Sequence, residues 1–172
     1  LKLFHSKLGQ MKNSLKKGCL LFCKMCILAI VTSIYSACDN TTVYNKSKSL
    51  PEGGWKQQDT VYFATLLKDS LQTYKVTLEI RNNSNYSYTN LPLLFEMRTP
   101  PNKDNLKDSI IIKLANSKGE WLGKGWGGLY QSEYTVGRIQ ANSPGIYLFK
   151  LIYLLPDKSL KGINDIGLKL ER

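Results

Sequence analysis

An all-β fold, an antiparallel β-sandwich of jelly-roll type, is what the sequence predicts for most of this 172-residue chain. From residue 55 onward, short stretches of alternating apolar and polar residues recur at spacings of roughly ten to fifteen residues, with turn residues between them. Outside an apolar segment near the N-terminus, no window of about twelve residues shows helical periodicity. About seven to nine strands at this spacing are typical of a sandwich or a jelly roll.

Six of the predicted strands have clear bounds, and in chain order they cover residues 74–81, 91–97, 109–114, 130–136, 146–155 and 165–171. The first two alternate strictly, which predicts one apolar face and one wet face. Gly137 is predicted to end the fourth strand. The unbroken apolar run at 146–155 predicts a strand that is buried on both faces.

The N-terminal apolar segment, residues 25–38, ends in Tyr35-Ser36-Ala37-Cys38. Its apolar run of about eleven residues is too short for a spanning helix, which needs roughly twenty. Preceding lysines, small residues and then a cysteine are typical of a bacterial lipoprotein signal, although Tyr35 stands where an aliphatic residue is usual. We therefore predict cleavage before Cys38 and lipidation of Cys38. A plain secretory signal and a short amphipathic anchor are the alternatives.

The sequence divides into three parts on this interpretation. Residues 1–37 would be a signal peptide preceded by upstream residues, because Met11 and the lysines after it resemble a natural start. Residues 38–52 are polar and are predicted to form a short flexible tether from the lipid. Residues 53–172 would form a single β-sandwich domain, which is long enough to bury a core without disulfides.

The positions of the charges and cysteines argue against nucleic-acid binding and against a metal site. Six of the eleven net positive charges lie in residues 1–38, as do all four cysteines. The remaining basic residues are dispersed, so we expect no nucleic-acid partner. Cys23 and Cys26 have a metal-like spacing, but no partner pair follows them. We predict no metal site and no cofactor.

Catalysis has few candidate residues. The only histidine is His5, which removes the commonest general base from the rest of the chain. Gly123–Gly128 matches the pattern G-x-G-x-x-G, but the strand-like residues after it indicate a glycine-rich turn or bulge and not a nucleotide site. A hydrolase that uses paired carboxylates is the weakest of three functional hypotheses. We predict no catalytic residues and no small-molecule substrate.

The aromatic residues suggest binding. Trp55 and Trp121 are predicted to lie in the core, whereas Trp126, between glycines, is predicted to be exposed. The candidate partner or ligand loop therefore comprises Trp121, Lys124, Gly125 and Trp126, which combine an aromatic anchor, a charge and close backbone approach. Exposed aromatics could instead stack on sugar rings, and a carbohydrate-binding lipoprotein is the alternative function.

Three triplets share an aspartate, a hydroxyl residue and an apolar residue. They resemble the O-glycosylation pattern of exported Bacteroidetes proteins and mark Thr60, Ser70 and Ser109 as candidate sites. The other interpretation is that each aspartate simply begins a strand.

A family resemblance covers nearly all of the chain after Cys38. Its most specific part is Gly119-Glu120-Trp121-Leu122-Gly123-Lys124-Gly125, after Asp108-Ser109. Other matching parts are Leu50-Pro51-x-Gly53-Gly54-Trp55, Tyr86-x-Tyr88-x-Asn90-Leu91 and Leu160-x-Gly162-Ile163-x-Asp165-Ile166-Gly167. Together they resemble the gliding-motility-associated lipoprotein family GldH of Bacteroidetes. Residues 152–156 are more apolar than we expect for that family.

The resemblance implies a non-enzymatic envelope lipoprotein that serves gliding motility and the associated type IX secretion machinery. Its expected partners are a membrane, through acyl chains such as palmitate, and other envelope motility or secretion proteins. The sequence after Cys38 lacks the acidic cluster of a surface-export signal, so we expect the periplasmic face of the outer membrane.

Overall fold

The computed structural model describes residues 41–100 and 105–172, and the compact unit that contains them is Thr41–Arg172. The predicted signal peptide and Cys38 lie outside the described residues. The described strands are β1 Thr42–Ser49, β2 Trp55–Lys56, β3 Val61–Leu67, β4 Gln72–Asn83, β5 Asn90–Arg98, β6 Asn105–Lys113, β7 Lys124–Trp126, β8 Leu129–Ala141, β9 Gly145–Tyr153, β10 Ser159–Leu160 and β11 Ile163–Glu171.

Two antiparallel sheets form the sandwich, which confirms the predicted fold class. One sheet has the strand order β1-β11-β4-β8-β7, and the other has the order β3-β9-β5-β6. The eight longer strands follow the chain order of a jelly roll. Consecutive strands lie in opposite sheets, except that β5 and β6 pair with each other as a hairpin. The short strands β2 and β10 pair with each other.

The core lies between the sheets and is built from the alternating residues that the sequence pattern indicated. In β5 the buried residues are Leu91, Leu93, Phe95 and Met97, and β4 and β11 contribute in the same way. These central strands point every second side chain into the core because successive side chains point to opposite faces. Phe95 and Phe149 meet across neighbouring strands, with ring centroids 6.0 Å apart.

The predicted tether is wrong over residues 42–49, because these residues form β1. β1 pairs with β11 from Thr42↔Glu171 to Ser49↔Asp165, with a bulge at Val43. The inward-facing Tyr44 packs against the core. A polar strand such as β1 resembles a linker until β11 supplies its hydrogen-bond partners. The folded domain therefore begins about eleven residues earlier than position 53.

Two further strand predictions are corrected. β8 does not end at Gly137 but continues to Ala141, because a bulge lets Gly137 pair with Val76 while Val136 takes the extra position. The apolar run at 146–155 is buried on only one face, since Tyr147 and Phe149 are fully buried while Ile146 is exposed. β9 therefore alternates like its neighbours, and its second face is apolar but open to solvent.

The strand directions place the loops at two ends of the sandwich. The Thr42 end comprises residues 41–43, 66–72, 98–100, 106, 141–146 and 171–172, and the backbone N–H of Arg172 donates to the carbonyl of Thr41 (2.9 Å). The Trp126 end comprises residues 49–60, 83–90, 114–129 and 154–163. β8 connects the two ends, and its twelve steps of about 3.3 Å separate them by about 40 Å.

Candidate functional site: the β7–β8 hairpin

A tight hairpin joins β7 to β8 at the Trp126 end. Its two turn residues, Gly127 and Gly128, have φ angles of 63° and 83°. Positive φ at both central positions is the geometry of a type I′ turn, which matches the twist of the flanking strands and is readily adopted by glycine. The turn sets Trp126 opposite Leu129 and Lys124 opposite Gln131.

Trp126 is displayed rather than packed, because 94% of its surface is exposed. Lys124 and Trp126 lie on the same face of β7, since side chains two positions apart in a strand share a face. Leu129, which lies opposite Trp126, is also exposed. The hairpin therefore presents an aromatic residue, an aliphatic residue and a cation on a backbone that is held by strand pairing.

Gly125 allows the other face of the hairpin to pack closely. A Cβ atom at this position would collide with the carbonyl oxygen of Leu129 and would lie 2.7 Å from Cδ1 of Tyr130. At Gly123 a Cβ atom would lie 2.7 Å from the carbonyl oxygen of Gln131. These two glycines bring the segment before the turn onto β8.

Trp121 packs against the β7–β8 hairpin through an aromatic contact with β8. Its ring lies between Tyr86 and Tyr130, with centroid distances of 6.4 Å and 5.6 Å, and the row continues from Tyr86 to Tyr88 at 5.8 Å. Offset and tilted aromatic pairs at such distances add to the stability that area burial provides. Trp121 is half-buried and packed against the core, so the sequence-based placement is close to its observed one.

Hydrogen bonds hold this aromatic row to the loops of the Trp126 end. The Tyr86 hydroxyl donates to the carbonyl of Asn90 (2.7 Å), and the Tyr88 hydroxyl donates to the carboxylate of Asp157 (2.6 Å). Burial raises the pKa of Tyr86 well above its usual range, with smaller effects from Tyr88 and Asp157. The hydrogen bond to Asp157 raises the pKa of Tyr88. Both hydroxyls therefore stay protonated at neutral pH and act as donors.

A cleft of about 660 Å³ adjoins the hairpin where β7 leaves β8. Its walls are Lys113, Leu122, Gly123, Lys124, Gln131, Ser132 and Glu133. The Ser132 hydroxyl oxygen is buried and has no hydrogen-bond partner among the described residues. Two cations, one carboxylate and one apolar side chain give the cleft groups that suit a polar peptide segment.

The outer faces of the two sheets differ in chemistry. On the five-stranded sheet, Lys169 lies 3.3 Å from Glu171 and 3.9 Å from Glu133, and Arg81 lies 3.4 Å from Asp165. The outer face of the four-stranded sheet has one charged row, in which hydrogen bonds from Lys150 and Lys107 lower the pKa of Glu96. Arg98 and Lys113 lie on the same face, near its opposite ends. Its apolar side chains are Tyr62, Leu94, Ile111, Ile146, Leu148 and Ile152.

The structure brings only part of the predicted loop together. Lys124, Gly125 and Trp126 share β7, whereas Trp121 belongs to the supporting aromatic row. The sequence analysis missed Leu122, Leu129 and Ser132. The Gly127-Gly128 pair could have indicated Leu129, because a two-residue turn sets the residues before and after it opposite each other.

The candidate glycosylation sites have different surroundings. Ser70 and Ser109 are exposed, and Thr60 is half-buried just before β3. Asp69, before Ser70, lies 2.7 Å from the Arg172 guanidinium, and the Tyr74 hydroxyl donates to the same carboxylate (3.4 Å). Asp69 therefore ties the turn before β4 to the C-terminus, whether or not Ser70 is modified.

Within residues 41–100 and 105–172, no cluster of three or more metal-ligating side chains occurs. In the same described ranges, no helix is long and apolar enough to span a membrane. The glycine-rich pattern at 123–128 forms β7 and a turn and precedes a strand, which is not the context of a phosphate-binding loop.

Comparison with known proteins decides the family. The sequence profile described as GldH lipoprotein matches residues 42–170, which covers nearly the whole described domain. The chain belongs to the GldH lipoprotein family. Its match begins at the first residue of β1, in agreement with the corrected domain boundary.

Two relatives support this assignment. The chain is 29% identical to the gliding motility lipoprotein GldH homolog of Christiangramia forsetii over an alignment of 147 residues, which covers 81% of this chain and 89% of that protein. It is 24% identical to the gliding motility lipoprotein GldH of Flavobacterium johnsoniae over an alignment of 153 residues, which covers 85% of this chain and 94% of the relative.

Among solved structures, a carbohydrate-binding module specific for non-crystalline cellulose shares 10% identity, with a TM-score of 0.45. The likeness covers 72% of this chain and 69% of that one. At this similarity it carries no argument about ligands.

Proposed function

We propose that this GldH-family protein is a lipid-anchored, non-enzymatic adaptor of the cell envelope that serves gliding motility and the associated type IX secretion machinery. The Trp126 hairpin contacts a protein partner in that apparatus. Cys38 carries the lipid, and the domain faces the periplasm from the outer membrane.

The exposure of Trp126 beside a tight turn is the observation that supports partner binding most strongly. An aromatic side chain that is 94% exposed does not contribute to the stability of the isolated domain. Tryptophan is enriched among the residues that dominate protein interfaces, because it buries a large area with few rotamers to order. The type I′ turn and the packing of Trp121 on Tyr130 position the backbone of Trp126 before binding.

Support for the anchor comes from the sequence before the domain. Cys38 follows a short apolar segment and small residues, and only three residues separate it from β1. Two or three acyl chains retain a protein stably on a membrane, whereas one chain is marginal. Cys38→Ser should therefore release the protein from the membrane fraction, and mass spectrometry of the N-terminal peptide should find acyl groups only in the wild type.

Partner binding is tested by cross-linking in native membranes, followed by purification through a C-terminal tag. Trp126→Ala should lose the cross-linked motility or secretion proteins. Tyr62→Ala is the matched control, because Tyr62 is another exposed aromatic (52% exposed) on the outer face of the other sheet. Loss of the same proteins from both variants, or from neither, would contradict the assignment of the contact to the hairpin.

The same purification distinguishes the carbohydrate-binding alternative. If the wild type recovers a glycan without protein and Trp126→Ala does not, the hairpin binds sugar and the adaptor role is wrong. The proposed orientation is tested separately by protease treatment of intact cells, which should leave the domain uncut. Digestion of the domain would place it on the cell surface.

Glycosylation at Thr60 and Ser109 is a further proposal, supported by the triplet pattern and by the exposure of Ser109. Peptide mapping of the protein purified from its own host should find glycan on the exposed Ser109. Unmodified peptides at both positions would mean that the aspartates before them have only structural roles.

A further inference from the structure

The short connection between Cys38 and β1 restricts where the domain can lie. Four Cα steps join Cys38 to Thr42, and a fully extended chain spans about 3.3–3.6 Å per residue. Thr42 is therefore within about 14 Å of a lipidated cysteine. The flexible tether predicted from the sequence would have let the domain tumble freely, but β1 uses eight of its residues.

The surface at the Thr42 end is unusually apolar for a rim of loops. Leu71, in the turn before β4, is 70% exposed, and Leu66 and Ile146, which pair in register across β3 and β9, are 59% and 61% exposed. Val43 and Leu106 at the same end are also exposed. Clustered exposed aliphatic side chains on a soluble domain mark contact surfaces, including surfaces that contact lipid.

Leu71 is held outward by its surroundings. Its φ angle is 58°, a left-handed conformation that leucine rarely adopts. The backbone N–H of Leu71 donates to the carbonyl of Ala141 (2.6 Å), and the neighbouring Asp69 is bound by Arg172. Such conformations persist only where the surrounding structure enforces them, and they concentrate at functional positions.

The charges of this end suit anionic lipid headgroups. Lys68 and Arg98 are exposed and form no ion pair with the described residues. The two described acids are already neutralised, since Asp69 pairs with Arg172 and Glu171 with Lys75 and Lys169. Basic side chains beside interfacial apolar residues add electrostatic attraction to a negatively charged bilayer.

We infer that the Thr42 end docks directly on the bilayer that holds the lipid anchor, with Leu66, Leu71 and Ile146 in the headgroup region and Lys68 and Arg98 at the phosphates. This inference rests on the proposed lipidation of Cys38. The domain then stands upright, and β8 carries the Trp126 hairpin about 40 Å from the Thr42 end, toward partners in the periplasm.

Cysteine labelling can measure this orientation without interference, since the chain after Cys38 contains no cysteine. The full-length protein is expressed with its signal, purified as the lipoprotein and reconstituted into vesicles of phosphatidylethanolamine and phosphatidylglycerol in equal parts. Single variants Leu71→Cys, Ile146→Cys and Trp126→Cys carry a polarity-sensitive fluorophore. Nitroxide-labelled lipids should quench the first two several-fold more strongly than the third.

A second set of variants separates docking from anchoring. Leu66→Asn with Leu71→Asn should abolish the quenching at position 146, and asparagine tolerates the left-handed conformation at position 71. The matched control, Leu122→Asn with Leu129→Asn at the Trp126 end, should leave this quenching unchanged.

The outcomes are distinguishable. Suppose that mass spectrometry finds acyl groups on Cys38 but the fluorophore at position 126 is quenched as strongly as those at positions 71 and 146, or more. This result would contradict docking and leave the anchor proposal intact. A protein without acyl groups would contradict the anchor itself, and the docking inference with it. A glycan on Ser70 in the native protein would also overturn docking, because it would separate Leu71 from the bilayer.

Discussion

Trp55 and Trp126 lie at the same end of the sandwich, each in a strand of only two or three residues, yet their environments are opposite. Trp55 in β2 is 0% exposed, and Trp126 in β7 is 94% exposed. The Trp55 ring meets Tyr153 edge to face at 5.1 Å, and its Nε1 donates to the carbonyl of Asp59 (2.8 Å). Trp126 has no ring contact of this kind among the described residues.

The difference shows that one end of a small jelly roll can contain both a segment that stabilises the core and a segment that is exposed for recognition. The strands β2 and β10 pair at this end, and their apolar side chains, Trp55 and Leu160, are both buried in the core. The β7–β8 hairpin extends past the core and adds little burial of its own. Stability and recognition can therefore be changed separately, and the following predictions test this separation.

The largest effect is expected for Trp55→Ala. Removing a fully buried tryptophan from a core costs about 3–5 kcal/mol, and the carbonyl of Asp59 would lose its donor as well. Urea unfolding of the mature chain should show a large fall in the midpoint. A fall comparable to that of an exposed substitution such as Tyr62→Ala would mean that β2 does not stabilise the core.

Two glycine-to-alanine substitutions compare how much backbone strain the packed part of this end and the exposed hairpin tolerate. Gly162 has a φ angle of 83°, and a Cβ atom there would collide with the backbone nitrogen of Tyr86. Gly127 has a φ angle of 63° with no heavy atom within 4 Å of its Cβ position. Gly162→Ala should cost about 3 kcal/mol or more, from strain and overpacking together.

Gly127→Ala should cost only the left-handed strain, about 1–2 kcal/mol. Differential scanning calorimetry of the two variants should therefore separate their melting temperatures clearly. Equal losses would show that the collision at Gly162 relaxes by a shift of the loop that contains Tyr86.

The buried Tyr86 at the Trp126 end should also make the stability of the domain fall at alkaline pH. The raised pKa of Tyr86 means that its folded state keeps a proton that the unfolded chain loses near pH 10. Its contribution is fully present below pH 10, and above it the free energy of unfolding should fall by about 1.4 kcal/mol per pH unit from this group.

Tyr86→Phe should cost about 1 kcal/mol at neutral pH through the lost hydrogen bond to Asn90. It should also flatten the alkaline decline, which urea unfolding at a series of pH values above neutrality would measure. An unchanged decline in the variant would assign the alkaline sensitivity to other tyrosines.

The smallest effect on stability is expected for Trp126→Ala. Exposed substitutions usually change stability by no more than about 0.5 kcal/mol. The variant should unfold at the same urea concentration as the wild type while it loses its cross-linked partner. A loss of stability comparable to that of Trp55→Ala would mean that the hairpin contributes to the core and is not a free recognition element.

Much of this architecture was accessible from local sequence pattern. Alternation in residues 74–81 and 91–97 placed the core faces of β4 and β5 correctly, because the two-residue period of a strand depends only on neighbours in the chain. The glycines at 123–128 indicated a turn for the same reason. The exposure of Trp126 followed from its position between residues that cannot bury it.

Other features depended on partners that are distant in the sequence. β1 is recognisable as a strand only because β11, more than 110 residues later, pairs with it. The open outer face of β9 could not be read from its apolar run, because apolar residues on a strand do not state whether a second layer covers them. Leu122, Leu129 and Ser132 joined the candidate site through pairing and packing around the hairpin.

The sequence by itself determined the all-β class, the faces of the central strands, the Gly-Gly turn and the resemblance to the GldH family. Only the tertiary structure decided that the domain begins at β1, that the outer face of β9 is open to solvent, and that Leu71 points outward at the Thr42 end. The physical reason is the range of the interactions. Backbone preference and side-chain periodicity act over a few residues, whereas burial and edge pairing depend on which distant segment arrives alongside.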